Sequence, residues 1–163
     1  AKKPWETEQL ANSESWELIS ASPIPFADGG IVPREMNLED MDLIVSQFEN
    51  ATQNAEKANF DMIELQAHHG FLLASFLSPL TNKRTDEFGG SISNRLKFPL
   101  RVFKAIRNVF PSEKPISVRI SATDWAENGI TPEDVITITE AFKLAGADII
   151  NVSTGNTVSN QQP

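Results

Sequence analysis

The sequence predicts an α/β fold built on a parallel sheet, and three observations carry that expectation. Segments with the apolar spacing of a helix alternate with short runs rich in Ile and Val, in the order αβαβαβ, which calls for parallel strands joined by helical crossovers. The links from helix to strand are short and those from strand to helix long, the asymmetry of folds that gather chemistry at the C-terminal ends of their strands. The composition suits a packed globular chain, with 163 residues of which 40% are apolar and 22% charged.

Taken in order, residues 1–37 are irregular and proline-bearing and read as a lead-in loop packed on something. Residues 38–58 place Met41, Ile44, Val45, Phe48 and Ala55 on one helical stripe, with Asn37 as N-cap and Asp40 three residues on. A strand follows over Phe60–Gln66, then the long link Gln66–Ser93. A second helix lies within 94–110, where Leu96, Leu100, Phe103, Ile106 and Phe110 recur about a turn apart; Pro99 removes a donor and delays or bends its first turn. A short link at Pro111–Lys114 leads to a strand over Pro115–Ser121, followed by the long link Ala122–Ile130. The third helix opens on Thr131-Pro132-Glu133-Asp134, with a capping hydroxyl, proline at the first helical position and an acidic third, and closes at Gly146. The last strand covers Ala147–Val152. Three strands do not close a barrel, and a full (βα)8 barrel needs about 250 residues. The elements therefore describe either a small open sheet or part of a larger barrel.

Charge and residue types remove several functions. The formal charge is −8 and the lysines and arginines are scattered, so no basic stripe marks a nucleic-acid binder. No apolar run is long enough to span a membrane, and the polar N-terminus does not read as a signal peptide. The absence of cysteine excludes disulfides, thiolate metal sites and thiol nucleophiles, and fits a reducing, cytoplasmic setting. His68 and His69 are the only histidines, too few for a metal shell without cysteine. No dinucleotide fingerprint, phosphate loop or nucleophile elbow is present, and Gly89-Gly90 reads as a turn.

Period-two alternation sets Met62, Glu64 and Gln66 on one face of the first strand, and Ser117, Arg119 and Ser121 on one face of the second. Glu64 and Arg119 are expected to form a desolvated ion pair across neighbouring strands, structural or functional. His68 and His69 should point in different directions, so at most one faces a site; a satisfied structural histidine is the plainer reading. Glycoside hydrolysis at Glu64 lacks a second strand-end carboxylate, since Asp124 lies in a loop and Asp148 at a strand start.

The stretches His69–Asn82 (HGFLLASFLSPLTN) and Arg84–Ser91 (RTDEFGGS), with Asn94-Arg95, resemble the old yellow enzyme family of FMN-dependent NAD(P)H oxidoreductases. The run Ser117–Ala122, the Ser20–Pro23 region and Val32–Met36 are similar to a narrower group, the reductase-like domain of hydroxylases acting on anthraniloyl-CoA or salicylyl-CoA. The resemblance implies a parallel (βα)8 TIM barrel. One partial domain, 1–163, would run from after the third strand to just past the sixth, with three αβ units over 38–163. It implies FMN as cofactor, NAD(P)H as electron donor and a small-molecule acceptor: an activated alkene, a quinone-like compound or an aryl-CoA thioester. Arg119 matches the arginine at the flavin pyrimidine edge, and Gln66 and His69 match the two donors that hold an acceptor oxygen over the ring. Two departures stand out. Gln66 replaces the usual histidine, and Phe71 stands where many members carry a proton-delivering tyrosine, while the chain has no tyrosine at all. Two readings compete with this one: a catalytically impaired barrel segment acting as a non-catalytic module, and a flavin-free barrel hydrolase using Glu64. Ending at Pro163, such a half-barrel is expected to bind FMN weakly or not at all, and to self-associate unless the remainder of the barrel covers its edges.

Overall fold

A computed structural model describes residues 16–162. Its centre is a three-stranded parallel sheet in the order β3-β4-β5, formed by Ile63–Ala67, Ile116–Ser121 and Ile149–Ser153. The crossovers are helical: α4 (Lys97–Val109) joins the first two strands and α5 (Pro132–Ala145) the last two, while α1 (Leu38–Lys57) leads into β3. Leu65, Ala67, Val118 and Ile120 point to the helix layer and join one core with Phe98, Val102, Phe103, Ile106, Ile138 and Phe142. The rings of Phe103 and Phe142 meet edge to face, with centroids 5.6 Å apart, where α4 and α5 pack.

The helix ends follow from local chemistry. Asn37 Oδ1 accepts the Asp40 N–H at 2.8 Å while the Asn37 N–H donates to the Asp40 carboxylate at 2.8 Å, a reciprocal capping box that starts α1. Thr131 and Asp134 form the same box on α5, with Pro132 at its first position; Gly146 ends that helix at φ 105°, where a side chain would be strained. Pro99 does not delay the second helix, which is already under way two residues before it. It sits third in α4, where a backbone N–H would have no intrahelical partner, so its missing donor costs little.

Three sequence expectations are corrected. The lead-in is not wholly irregular: Ile19–Ser20 (β1) and Arg34–Glu35 (β2) pair as a two-stranded parallel ribbon, while residues 1–15 lie outside the described residues. This ribbon packs on the chain around α2 (Leu72–Leu77). The Ala21 N–H donates to Ser75 Oγ at 3.2 Å, and Arg84 Nη1 donates to the carbonyls of Ala21 (3.1 Å) and Met36 (2.8 Å). The long link Gln66–Ser93 is not a loop throughout, since it contains α2 and the first residues of a short helix α3 (Ile92–Arg95). The helix expected within 94–110 is therefore two elements, α3 and α4, meeting at Leu96.

Candidate functional site

The register of the sheet brings the expected polar residues together. Gln66 lies opposite Arg119, and Arg119 opposite Asn151, so one rung across three strands carries an amide, a guanidinium and another amide on the face turned away from the helices. Glu64 sits one rung lower, opposite Ser117. Its Oε2 accepts from Ser117 Oγ and from Asn151 Nδ2, each at 2.9 Å. The expected Glu64–Arg119 ion pair does not form, because the register offsets the two by a rung and Glu64 is engaged sideways. Arg119 Nε is buried without a partner, and among the described residues no carboxylate pairs with this guanidinium.

Beyond β3 the chain folds back on itself. His69 has φ 52° and Gly70 φ 69°, two successive residues in the left-handed region. Glycine is required at the second: a Cβ there would lie 2.9 Å from the Asn156 carbonyl oxygen. The His69 N–H donates to Ser121 Oγ at 3.0 Å, and its ring Nε2 lies 2.6 Å from Ser153 Oγ. Ser121 and Ser153 are themselves register partners at the ends of β4 and β5. This geometry corrects the expectation that the two histidines diverge. The backbone reversal brings the His69 ring against that of His68, with centroids 4.0 Å apart and planes tilted by 45°, and the Phe71 ring centroid lies 5.5 Å from that of His68.

His68 is 3% exposed, and its Nδ1 has no partner. Burial, reinforced by the charges of His69 and Arg119, pushes its pKa down to about 4 against a smaller opposing pull from Glu64. His69 is also lowered, first by burial and then by Arg119, with a hydrogen bond to the Thr154 backbone carbonyl acting the other way. Both imidazoles are therefore neutral at pH 7. Phe71 opens α2 without a side-chain cap and is 52% exposed, presenting a bare ring beside the turn.

The two links after the strands are fastened to each other. Asp124 is fully buried, and its Oδ2 accepts from Ser78 Oγ at 2.7 Å and from the Ile130 N–H at 2.9 Å. Sequence reasoning set Asp124 aside as a loop carboxylate and did not name Ser153. The alternation that singled out Arg119 and Ser121 on β4, carried onto β5, would have shown Asn151 and Ser153 on one face.

A half-buried guanidinium with an orphaned donor, flanked by neutral amides and serine hydroxyls, fits the electron-rich edge of a heteroaromatic cofactor such as flavin. Among the described residues no cluster of His, Asp and Glu is arranged to hold a metal ion, and no helix is long and apolar enough to cross a membrane.

Comparison with known proteins bears on the family and the fold. An NADPH dehydrogenase of Geobacillus thermodenitrificans (strain NG80-2) is 42% identical over 142 residues, 87% of this chain and 41% of that protein. The chain thus spans about two fifths of the length of the curated relatives it matches. A 2-naphthoyl-CoA reductase solved with 2-naphthoyl-CoA superposes with a TM-score of 0.78 at 29% identity, over 85% of this chain and 21% of that one. The old yellow enzyme homologue from Zymomonas mobilis shares the fold with a TM-score of 0.75 at 23% identity, over 84% of this chain and 42% of that one. The architecture is accordingly part of a (βα)8 barrel, seen here as three consecutive strands with their helices. The family model for NADH:flavin oxidoreductases and NADH oxidases matches residues 7–163, nearly the whole chain, and the chain belongs to that family.

Proposed function

We propose that this chain forms the flavin-facing part of an FMN-dependent NAD(P)H oxidoreductase that reduces a small acceptor bearing a polarisable oxygen. The observation that carries the reading is the Gln66–Arg119–Asn151 rung, with its orphaned buried guanidinium nitrogen, lying directly beneath the histidine turn. FMN, when bound, supplies two-electron carriage, taking hydride from NAD(P)H and giving it to the acceptor. Arg119 would hold the pyrimidine edge of the cofactor and offset the negative charge that two added electrons place there. Its position is fixed beforehand by β4, so little reorganisation is needed when the charge develops.

Gln66 and, as the resemblance implies, His69 would hold the acceptor's oxygen by hydrogen bonds. Withdrawing density toward that oxygen leaves the β-carbon electron-poor, and it gains the hydride; the α-carbon must then gain a proton. Both side chains are neutral near pH 7, so they polarise without exchanging charge. Phe71 has no proton to give, which leaves solvent as the source. The aromatic CoA thioester class is favoured by the likeness to the 2-naphthoyl-CoA reductase, and NADPH as donor by the NADPH dehydrogenase relatives.

The test is made on the full-length protein. Purification with FMN, oxidation of NADPH, and at least tenfold weaker FMN binding in Arg119→Gln support the reading. A protein that neither retains FMN nor oxidises NADPH would instead be the non-catalytic barrel segment.

A further inference from the structure

We infer that Glu64 sets the reduction potential of the flavin: its carboxylate, held one rung below Arg119, offsets that cation so that the reduced cofactor remains a ready hydride donor. The inference rests on the proposed oxidoreductase reading and adds to it a residue to which the resemblance gives no role.

Three observations bear on it. First, Glu64 is fixed in place without being neutralised. Its Oε2 accepts from Ser117 Oγ on β4 and from Asn151 Nδ2 on β5, each at 2.9 Å, so one carboxylate on β3 ties all three strands. Both donors are neutral, and the register keeps Glu64 from direct contact with Arg119. Second, its charge reaches the site. At the buried His68 ring the pull of Glu64 opposes the push of Arg119. Glu64 and Gln66 share the face opposite the core residues Leu65 and Ala67, and Gln66 is the register partner of Arg119. That face is exposed at Glu64 in the 163-residue chain, but it is the packed interior of a complete barrel, where water screens a charge far less. Third, Glu64 orients the amide at the end of the rung. A carboxylate oxygen only accepts, so Asn151 must turn Nδ2 to it, leaving an oxygen instead of a second donor for whatever meets the Arg119 rung.

Electrons added to a flavin place negative charge at its pyrimidine edge. A guanidinium alone favours that charge, which raises the potential and makes the reduced form slower to part with hydride. A fixed negative charge one rung away lowers the potential again. Arg119 thus secures the cofactor, and Glu64 keeps its electrons available to the acceptor.

The test uses the full-length holoprotein and reads the midpoint potential of its FMN by equilibration with a reference dye. In Glu64→Gln the amide oxygen can still accept from Ser117 and Asn151, so the hydrogen bonds persist while the charge is gone. The ratio of reduced to oxidised FMN at a given potential should rise about tenfold, an upward shift of about 30 mV for a two-electron couple. Glu64→Ala removes the charge and the hydrogen bonds together and should raise the potential at least as far; it decides the matter where Glu64→Gln does not fold. Ser117→Ala breaks one of the same hydrogen bonds but leaves the charge, and should move the potential far less. An unchanged or lowered potential once the charge is removed, or an equal rise in Ser117→Ala, overturns the inference and leaves the function standing. A native protein that retains no FMN overturns the function, and this inference with it.

Discussion

His68 carries no charge at neutral pH, and that fixes how the fold responds to acid. In the unfolded chain a histidine takes up a proton near pH 6.5, whereas in the fold His68 does so only at about pH 4. Between those values the unfolded state binds more protons, so stability present above pH 6.5 is lost progressively as pH falls toward 4, where the loss levels off. His69, lowered for the same reasons, adds in the same direction. Asp40, held down to about 2 by its hydrogen bonds from Arg34, acts in the same sense but below pH 4, so the windows are separable. Urea unfolding of the chain at pH 7.0, 5.5 and 4.5 should show a falling midpoint, with the slope between 7 and 4.5 reduced in His68→Phe; an equal slope in both would refute the assignment. Phe71 offers a second test at this scale. A hydroxyl at that exposed ring edge would restore a proton donor beside the turn, so in the full-length protein Phe71→Tyr should raise enone turnover by at least an order of magnitude, within the range of general-acid catalysis. Unchanged turnover would mean that solvent protonation is not limiting.

Between elements, one carboxylate fastens the two long links that rim the site. Asp124 receives the Ser78 hydroxyl and the Ile130 N–H with no exposure to solvent, and Gly129 is packed so closely that a Cβ would stand 2.8 Å from Asp124 Cβ. Asp124→Ala leaves two buried donors unpaired and should cost about 2–4 kcal/mol, read as a lower denaturant midpoint, while Asp124→Asn keeps an acceptor oxygen and should cost less. Thr131→Ala, which removes only the α5 cap, is expected near 1 kcal/mol. The contrast marks what a sequence discloses. Caps at Asn37 and Thr131 were legible because each is complete within four residues, and the polar faces of β3 and β4 because their period is two. α2 was not legible: it has six residues and no side-chain cap, and it is held by distant packing such as Phe76 on Phe98, centroids 4.6 Å apart. The β1–β2 ribbon, two residues a strand, has no period to read. At the site, alternation and resemblance located Gln66 and Arg119, but the hold of Ser153 on His69 spans 84 positions and depends on a left-handed residue that histidine adopts only under constraint.

At the scale of the whole fold, the sheet has two open edges among the described residues, since β3 and β5 each have one neighbour there. Around the β5 edge Ile149 is 45% and Val152 60% exposed, and on α5 Ile136 and Leu144 face solvent, Leu144 at 88%. Parallel strands are normally covered on both faces and paired on both sides, so this flank carries unpaired backbone groups beside apolar side chains. The net charge of −8 opposes contact between copies, but that repulsion is screened within about 8 Å at physiological salt while edge pairing and apolar burial are not. Association should therefore win as salt rises. Sedimentation velocity on the 163-residue chain should show species larger than a monomer that grow with concentration and from 0.05 to 0.5 M salt, as order-of-magnitude bounds on screening, and Val152→Lys should shift them toward monomer. In a protein of the relatives' full length the same flank lies where the barrel continues, so there Val152→Lys should lower stability instead of improving solubility. A 163-residue chain that stays monomeric at high concentration and high salt would show that these edges are protected by its own residues, and the open-flank topology would have to be abandoned.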